Sequence, residues 1–589
     1  MTETGARGTG AGRFSLADAV PLVGQLRGYS KRALSGDALA ALAIAATLVP
    51  QGLAYGEVAG LAPAAGLYTA VGAALVFSLV TSTRFVVVGP SSTLAVMTFE
   101  AVRGPAAGDP AKAAALAGCL SVLVGLLCVA SPLLRMRRIS DLLSGPVMLG
   151  YLAGCAVVIF AGQLGVLIGV PAKGEGALAK LWNVITHLGQ AHAMTAVVGL
   201  SAVAALLLLK GHRTRLPASL MVLAAAVVAS AVFDLAGRGV VVVGAVTGGL
   251  RMPGIPAVSG AEVVALFPAA GGIALIAIVE TVTAIRKTAD PSAGPLSLTR
   301  ESAALGAASV ASGVLGGFAP MGNASKSLSA RGAGARSQLF QLGTVALVLF
   351  ALVTGGPIIA MLPLAALAAT LVAVTVPRLI DVPGFLRLWR AWRAEAGIAL
   401  ITALGVVVFG VLQGVLIAVL LAAAQMLQRT ARPHDAVLAV TNPDEPAHEV
   451  NEHELPRTDV LIYRVDAPLF FANIGRVTDR IRTLAAACGP DLRYLILDAE
   501  SVFYLDASAA DTMAELTLEL RERGCELLLA RVRAPVLATL RANPYHEGAT
   551  RDLLAFPSVR QAYAYAHEKL QARRDDGGRD AQTAPGPMQ

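Results

Sequence analysis

Charge is what this sequence has least of. Only 15% of its 589 residues are Asp, Glu, Lys or Arg, 55% are hydrophobic, and the mean hydropathy is +0.66. A soluble globular chain carries about a quarter charged residues, so most of this one belongs in a bilayer. Cysteine is also scarce. Cys119, Cys128, Cys155, Cys488 and Cys525 have no paired metal-ligand spacing; three lie in apolar runs and two in the C-terminal part, and all read as reduced structural thiols. No concentrated basic face is present, so the net charge of +8 reads as membrane topology and a nucleic-acid partner is not expected. Nor is there a secretory signal. Residues 1–36 are polar, contain Arg7, Arg13, Arg27, Lys31 and Arg32, and lack a short apolar core with a cleavage site. Positive charge ahead of the first span favours a cytoplasmic N-terminus.

What the chain does have is apolar length. Hydrophobic runs begin near Asp37 and end near Gln428, and several reach the roughly 20 residues a spanning helix needs. Clear examples are 112–133, 193–210, 217–236 and 396–427, the last long enough for two spans. Composition changes after Gln428. Residues 429–457 are rich in Pro, His, Asp and Glu and read as a linker. Beyond them "DVLIYRV", "YLILDAE" and "CELLLARV" read as strands. "DASAADTMAELTLELRERG" reads as a helix, with Asp506 as N-cap, Met513, Leu516 and Leu520 on one face, and Gly524 at its stop. Strands alternating with helices imply a sheet covered by helices. The expected boundaries are a polar N-terminal segment 1–33, a membrane domain 34–428, a linker and lead-in 429–458, an α/β domain 459–572 and a disordered Gly/Pro-rich tail 573–589.

Three apolar segments are interrupted. Residues 37–50 suggest a short helix that ends at "PQGLAYGEVAG", where Pro50, Gly52, Gly56 and Gly60 break regularity. In "STRFVVVGPSSTLAVMTFEAV" (82–102) the run Phe85–Val88 favours extended backbone. Gly89-Pro90 follows, and Ser91, Ser92 and Thr93 can cap a helix that starts inside the membrane. "GVLGGFAPMGNASKSLSARG" (313–332) repeats this grammar. Paired breaks in two halves of a membrane domain point to an inverted-repeat transporter with its site between them. Helix N-termini expose free N–H groups and carry about +0.5 charge each, so two of them facing each other attract an anion.

Each polar residue near these breaks has two readings. Lys326 is either a loop lysine reaching the surface or a cation near the start of a half-helix, with Ser325 donating to a substrate and Asn323 and Ala324 at the helix entrance. Glu280 is a proton carrier, a counter-charge for Lys326, or a span-end partner of Arg286 or Lys287. Gln51 and Tyr55, four apart, either line the site from one helix face or pack a kinked helix. Glu57 and Glu100 read as span-end residues near water. Asp506 and Ser508 need no role beyond helix capping. The C-terminal part has no Gly-rich phosphate loop, nucleophile–base pair or metal cluster, so neither an enzyme nor a cofactor is expected.

At this point the residues match a known pattern. "LVPQGLAYGEVAGLAPAAGLYTA" (48–70) and "TSTRFVVVGPSS" (81–92) resemble the signature of the sulfate permease (SulP) family of anion transporters, the bacterial relatives of the solute carrier 26 group. "RVDAPLFFANIGRV" and "LILDAESVFYLDASAADTM" resemble its C-terminal STAS domain. The resemblance implies fourteen transmembrane segments in two inverted repeats of seven, with two half-helices, and a core domain moving as an elevator against a gate domain. It implies secondary transport of an inorganic anion, sulfate first, by proton symport or anion exchange; bicarbonate, C4-dicarboxylates and an anion channel are alternatives. It also implies a lipid-embedded homodimer in the inner membrane with cytoplasmic STAS domains. Carried over by motif, Gln51 and Tyr55 line the site from segment one, Ser91 and Ser92 open segment three, Glu280 takes the acidic position of segment eight, and Asn323, Ala324, Ser325 and Lys326 start segment ten. Two departures stand out. Many relatives have Arg where this chain has Lys326, and the sodium-coupled bicarbonate branch resembles an uncharged motif there with Asp in segment eight, which argues against that branch. Ala509 replaces the Gly that follows the phosphorylated serine of bacterial anti-sigma antagonists, so Ser508 is not expected to be phosphorylated.

Overall fold

The computed structural model describes residues 21–26, 29–133, 145–171, 174, 176–209, 217–244, 253–289, 297–440, 447–450, 458–543 and 550–582. Most of the polar N-terminal segment and the last seven residues of the tail therefore lie outside the described residues. The chain divides into two compact units, Met1–Ala422 and Ala423–Gln589.

The first unit is helical. Its main helices are α1 (Lys31–Val58), α2 (Ala64–Val80), α3 (Ser92–Ala106), α4 (Pro110–Ala130), α5 (Gly145–Ile168), α6 (Gly176–Thr186), α7 (Ala193–Leu209), α8 (Ala218–Phe233), α9 (Gly260–Thr288), α10 (Leu298–Val314), α11 (Ala324–Gly332), α12 (Leu339–Thr354), α13 (Leu364–Thr370), α14 (Val382–Ala391), α15 (Arg393–Phe409) and α16 (Val411–Ala431), which runs on into the second unit. Six of the described helical stretches are long and apolar enough to cross a membrane, and α2, α7, α8 and α12 are shorter apolar helices. The run 396–427 resolves into two helices, α15 and α16, parted at Gly410, whose φ of +97° suits glycine.

These helices sort into two bundles. In one, α4 packs along α10 and α9, α2 along α10 and α12, α1 along α12 and α2, and the short α3 and α11 lie against α4, α9 and α1. In the other, α5 packs along α15, α6 and α13, and α7 along α13 and α8. The bundles meet sparsely, where α1 touches α8 and α13, where α3 touches α5, and where Glu100 of α3 accepts from the Val411 N–H at the start of α16. Glycine lets the first bundle close. A Cβ on Gly313 would lie 2.4 Å from the Gly118 carbonyl oxygen, and one on Gly306 would lie 2.5 Å from that of Gly125. In a membrane, where burial of apolar surface drives helices together only weakly, such backbone contact is a main source of adhesion.

The first expected interruption is not there. α1 runs unbroken from Lys31 to Val58 with Pro50 inside it. Proline removes one helical hydrogen bond, and neighbouring helices make this tolerable at membrane depth. The glycines beside it serve packing: a Cβ on Gly66 would fall 1.8 Å from the Gly52 carbonyl oxygen, and one on Gly56 would fall 2.6 Å from the Pro63 carbonyl oxygen. The other two interruptions are real. β1 (Val88–Gly89) precedes α3, and β2 (Met321–Gly322) precedes α11.

The second unit is an α/β sandwich on a six-stranded sheet of order β4-β3-β5-β6-β7-β8. Its strands are β3 (Asp435–Ala439), β4 (His448–Glu449), β5 (Val460–Val465), β6 (Tyr494–Asp498), β7 (Glu526–Ala530) and β8 (Leu554–Phe556). β5 to β8 are parallel; β3 pairs antiparallel with β4 and β5. The segment 429–458, expected as a linker and lead-in, supplies two strands, β3 and β4. Its charged and Pro-rich text hid the short apolar run at Val437–Leu438, both of which are buried. Of the helices α17 (Ile474–Cys488), α18 (Ala507–Glu522), α19 (Ala534–Arg541) and α20 (Val559–Gln582), the first three share a core with Leu461, Tyr463, Leu495, Leu497, Leu527 and Leu529. α20 covers the alternate residues Val460, Ile462, Tyr494, Ile496 and Leu528, and it continues into the segment expected as a tail. Burial on both faces is why these strands read as continuous apolar runs. Asp506 caps α18 as expected, accepting from the Ala509 N–H at 2.8 Å.

Candidate functional site

Both half-helices are seated by one short ladder. Val88 pairs antiparallel with Gly322 and Gly89 with Met321, and the Asn323 N–H donates to the Val87 carbonyl at 2.9 Å. Three side chains lock it. Ser327 Oγ accepts from the Val87 N–H (2.9 Å) and donates to the Asn323 carbonyl (2.6 Å). Thr281 Oγ1, on α9, accepts from the Gly322 N–H at 2.8 Å, and Gln341 Oε1, on α12, accepts from the Val88 N–H at 3.2 Å. A Cβ on Gly322 would lie 2.8 Å from the Thr281 Cα, so the approach of α9 requires glycine there.

The two helix starts differ. α11 is capped: Asn323 Oδ1 accepts from the Lys326 N–H at 2.9 Å. α3 is not. Ser91 makes no side-chain cap; its hydroxyl lies 2.8 Å from Thr93 Oγ1, so two of the hydroxyls expected to satisfy the first-turn N–H groups bond to each other. An uncapped N-terminus leaves donors free for an anion.

Around these ends the structure gathers most of the expected residues. The Lys326 ammonium stands 5.7 Å from the centre of the Tyr55 ring, within cation–π range. Tyr55 and Gln51 are 6% and 8% exposed, so both face inward from α1, and Gln51 Oε1 is buried without a hydrogen-bond partner. Ser92 and Thr375 lie at the Tyr55 hydroxyl. Ser91 is buried, Asn323, Ala324 and Lys326 are half-buried, and Ser325 is exposed. Glu280 sits beside the ladder-binding Thr281 on α9, half-buried. Among the described residues it makes no hydrogen bond or ion pair, so no salt bridge joins it to Lys326; Lys287 is the charge that acts on it.

Sequence reasoning missed Thr281, Gln341, Thr375 and Arg378. Arg378 follows a π-helical turn, Leu371–Thr375, and is close enough to act electrostatically on both Tyr55 and Lys326. Such turns recur at functional sites. It comes from the stretch that follows α13, in the second bundle, and is exposed. Arg378 reads in sequence only as the end of an apolar run.

The ladder is also held from its far side. Asp37, 2% exposed on the second turn of α1, accepts from the Ser337 N–H (3.2 Å), Ser337 Oγ (2.6 Å) and the Tyr29 hydroxyl. Gln338 Nε2 donates to the Thr83 and Val86 carbonyls, both at 3.1 Å. Glu301, 1% exposed, accepts from Thr81 Oγ1 at 2.5 Å and the Ser82 N–H at 2.9 Å. Two buried carboxylates therefore fix the backbone leading into β1 and the backbone leaving α11.

The chain resembles known proteins in sequence and in fold. The sulfate permease family profile matches residues 34–402 and the STAS domain profile residues 454–562. A probable sulfate transporter of Mycobacterium tuberculosis is 35% identical over 547 residues, covering 92% of this chain and 98% of that one. The human sulfate anion transporter 1 is 28% identical, covering 89% and 87%. Among solved structures, the murine solute carrier 26 family member A9 anion transporter in the inward-facing state superposes with a TM-score of 0.83 at 19% identity, over 96% of each chain. The transmembrane domain of a cyanobacterial bicarbonate transporter superposes with a TM-score of 0.58 at 20% identity, over 67% of this chain and 98% of that one.

Proposed function

The chain belongs to the sulfate permease family, and from that premise we propose that it is a secondary active transporter of inorganic anions with sulfate as its substrate. The observation that carries this is the ladder that seats two half-helix starts together, with Lys326 and Tyr55 between them. The anion takes free N–H groups from the uncapped α3 and from Ala324 and Ser325, hydroxyls from Ser91 and Ser92, and charge from Lys326. Gln51, after rotation of its amide, supplies a further donor; its unsatisfied buried oxygen marks a group waiting for a partner. Arg378 adds a second positive charge, which suits a dianion. The names of the mycobacterial and human relatives point to the same substrate.

Transport proceeds by alternating access of the elevator type. The bundle of α1–α4 and α9–α12 carries the site; the bundle of α5–α8 and α13–α16 is the gate it slides against, and their sparse contacts suit such motion. The full membrane domain is read as fourteen segments in a seven-plus-seven inverted repeat, spanning 34–428, with the N-terminus and the STAS domain (459–572) cytoplasmic and the protein a homodimer. Glu280 carries the coupling proton, since a carboxylate without a fixed partner at membrane depth favours its neutral form.

The test is uptake into proteoliposomes of labelled sulfate, bicarbonate and fumarate, each under a proton or a sodium gradient. Proton-driven sulfate uptake is expected. A hydrogen bond to a charged group contributes about 1.5–3 kcal/mol net, or roughly 10- to 150-fold in affinity, so Lys326→Ala should weaken sulfate uptake by at least about tenfold. Uptake indifferent to that substitution removes Lys326 from the site. Proton-driven uptake that survives Glu280→Gln removes Glu280 from coupling.

A further inference from the structure

The helix that opens on the anion site has a second polar region at its other end. A cavity of about 360 Å³ lies beside the C-terminal half of α3, walled by α6 and by the corner between α15 and α16. Phe99 and Arg103 line it. At about 1.5 Å of rise per residue they lie roughly 10 and 16 Å along α3 from Ser92, so the cavity is separate from the site at the helix start.

Two cations point into this space. The Lys180 ammonium, from α6, stands 4.9 Å from the centre of the Phe99 ring, and the Arg103 guanidinium 5.9 Å from it. Among the described residues neither has an ion-pair partner within salt-bridge distance. Both charges lie within cation–π range of the ring; Lys180 is half-buried and Arg103 is exposed. Glu100 is the one carboxylate among the described lining residues, and its Oε2 accepts from the Val411 N–H at 2.8 Å. Gly410 keeps that corner close, since a Cβ there would come within 3.1 Å of both Glu100 Oε2 and Gln413 Oε1. The remaining wall is largely valine. Two cations and one tethered carboxylate in a low-dielectric crevice leave a positive field that the crevice focuses.

We propose that this cavity is a second anion site, holding a small inorganic oxyanion between Arg103 and Lys180 on its way to or from the site at the start of α3. The proposal rests on the reading of the protein as an anion transporter. The competing assignment, that the two cations only balance Glu100, makes the opposite forecast for one substitution and can be separated from it.

The experiment measures initial rates of labelled sulfate uptake against sulfate concentration for the full chain in proteoliposomes. Arg103→Gln and Lys180→Gln should each raise KM roughly five- to tenfold with kcat within about twofold, and should flatten its dependence on ionic strength; Arg103→Lys should restore KM. Glu100→Gln removes a like charge while its amide oxygen can still accept from Val411, so KM should fall about two- to threefold. A rise in KM in Glu100→Gln, an unchanged KM in both cation variants, or a fall in kcat alone overturns the second site. If the unsubstituted protein takes up none of sulfate, bicarbonate or fumarate, the transporter reading falls and this site with it.

Discussion

Lys326 works through position as much as charge. Set third in α11, with its own N–H bound by Asn323 and its ammonium over Tyr55, it cannot swing freely to the membrane surface. Lys326→Arg tests what its chemistry adds. A lysine is a compact, strongly hydrated point charge and an arginine a planar fork, so the arginine variant should keep sulfate uptake and shift the ranking of competing oxyanions in inhibition assays. A second prediction concerns Asp37. Replacing it with Ala strands the Ser337 N–H and hydroxyl in a buried place, and buried unsatisfied groups cost about 1–3 kcal/mol each. The variant should lose about 2–4 kcal/mol, read as a lowered melting temperature in detergent, while Tyr29→Phe should lose less. The polar residues of the candidate site stood out because charge and hydroxyls are conspicuous in apolar text. Thr281, Thr375 and Arg378 did not, because what gives them a role is a partner distant in the chain, brought near only by packing. Ser325 stood out in sequence as strongly as Lys326, yet its side chain is exposed.

At the level of helices, small residues decide what can approach what. Gly118 and Gly125 on α4 face Gly313 and Gly306 on α10, each pair spaced by two helical turns. Gly306→Val should therefore pry these helices apart and abolish a monodisperse peak in size-exclusion chromatography, whereas Gly104→Val, where a Cβ meets nothing within 4 Å, should not. The same physics explains where sequence reasoning failed. "PQGLAYGEVAG" looked like a break because Gly and Pro weaken an isolated helix; in α1 its glycines are contact points for α2 and the helix continues. The breaks before α3 and α11 were legible because a β-branched run or a Gly-Pro cluster precedes a capping residue, a combination that a packing glycine does not produce.

As a whole, the chain is two units with separate cores, so residues 423–582 expressed alone should give a soluble, cooperatively unfolding α/β domain by circular dichroism. In it Asp498 is fully buried between Arg464 and Arg531, each donating through Nε at 2.9 Å. Asp498→Ala leaves two arginines without their shared acceptor and should destabilise that domain by about 3–5 kcal/mol. Burial pushes the Cys525 thiol up to about 12, which leaves almost no thiolate at pH 8; it should react with a thiol reagent only as the domain unfolds. The ladder of four residues in the other unit carries a lesson for anyone who wants to alter the substrate. Val88-Gly89 and Met321-Gly322 lie more than two hundred positions apart, yet among the described residues neither strand has any other strand to pair with. A graft of one half-helix from a relative would arrive without the strand it was fitted to. The smallest piece of this protein that can be exchanged as a working part is thus written in two distant passages of the gene, and directed evolution that varies only one of them will sample mostly mismatched halves.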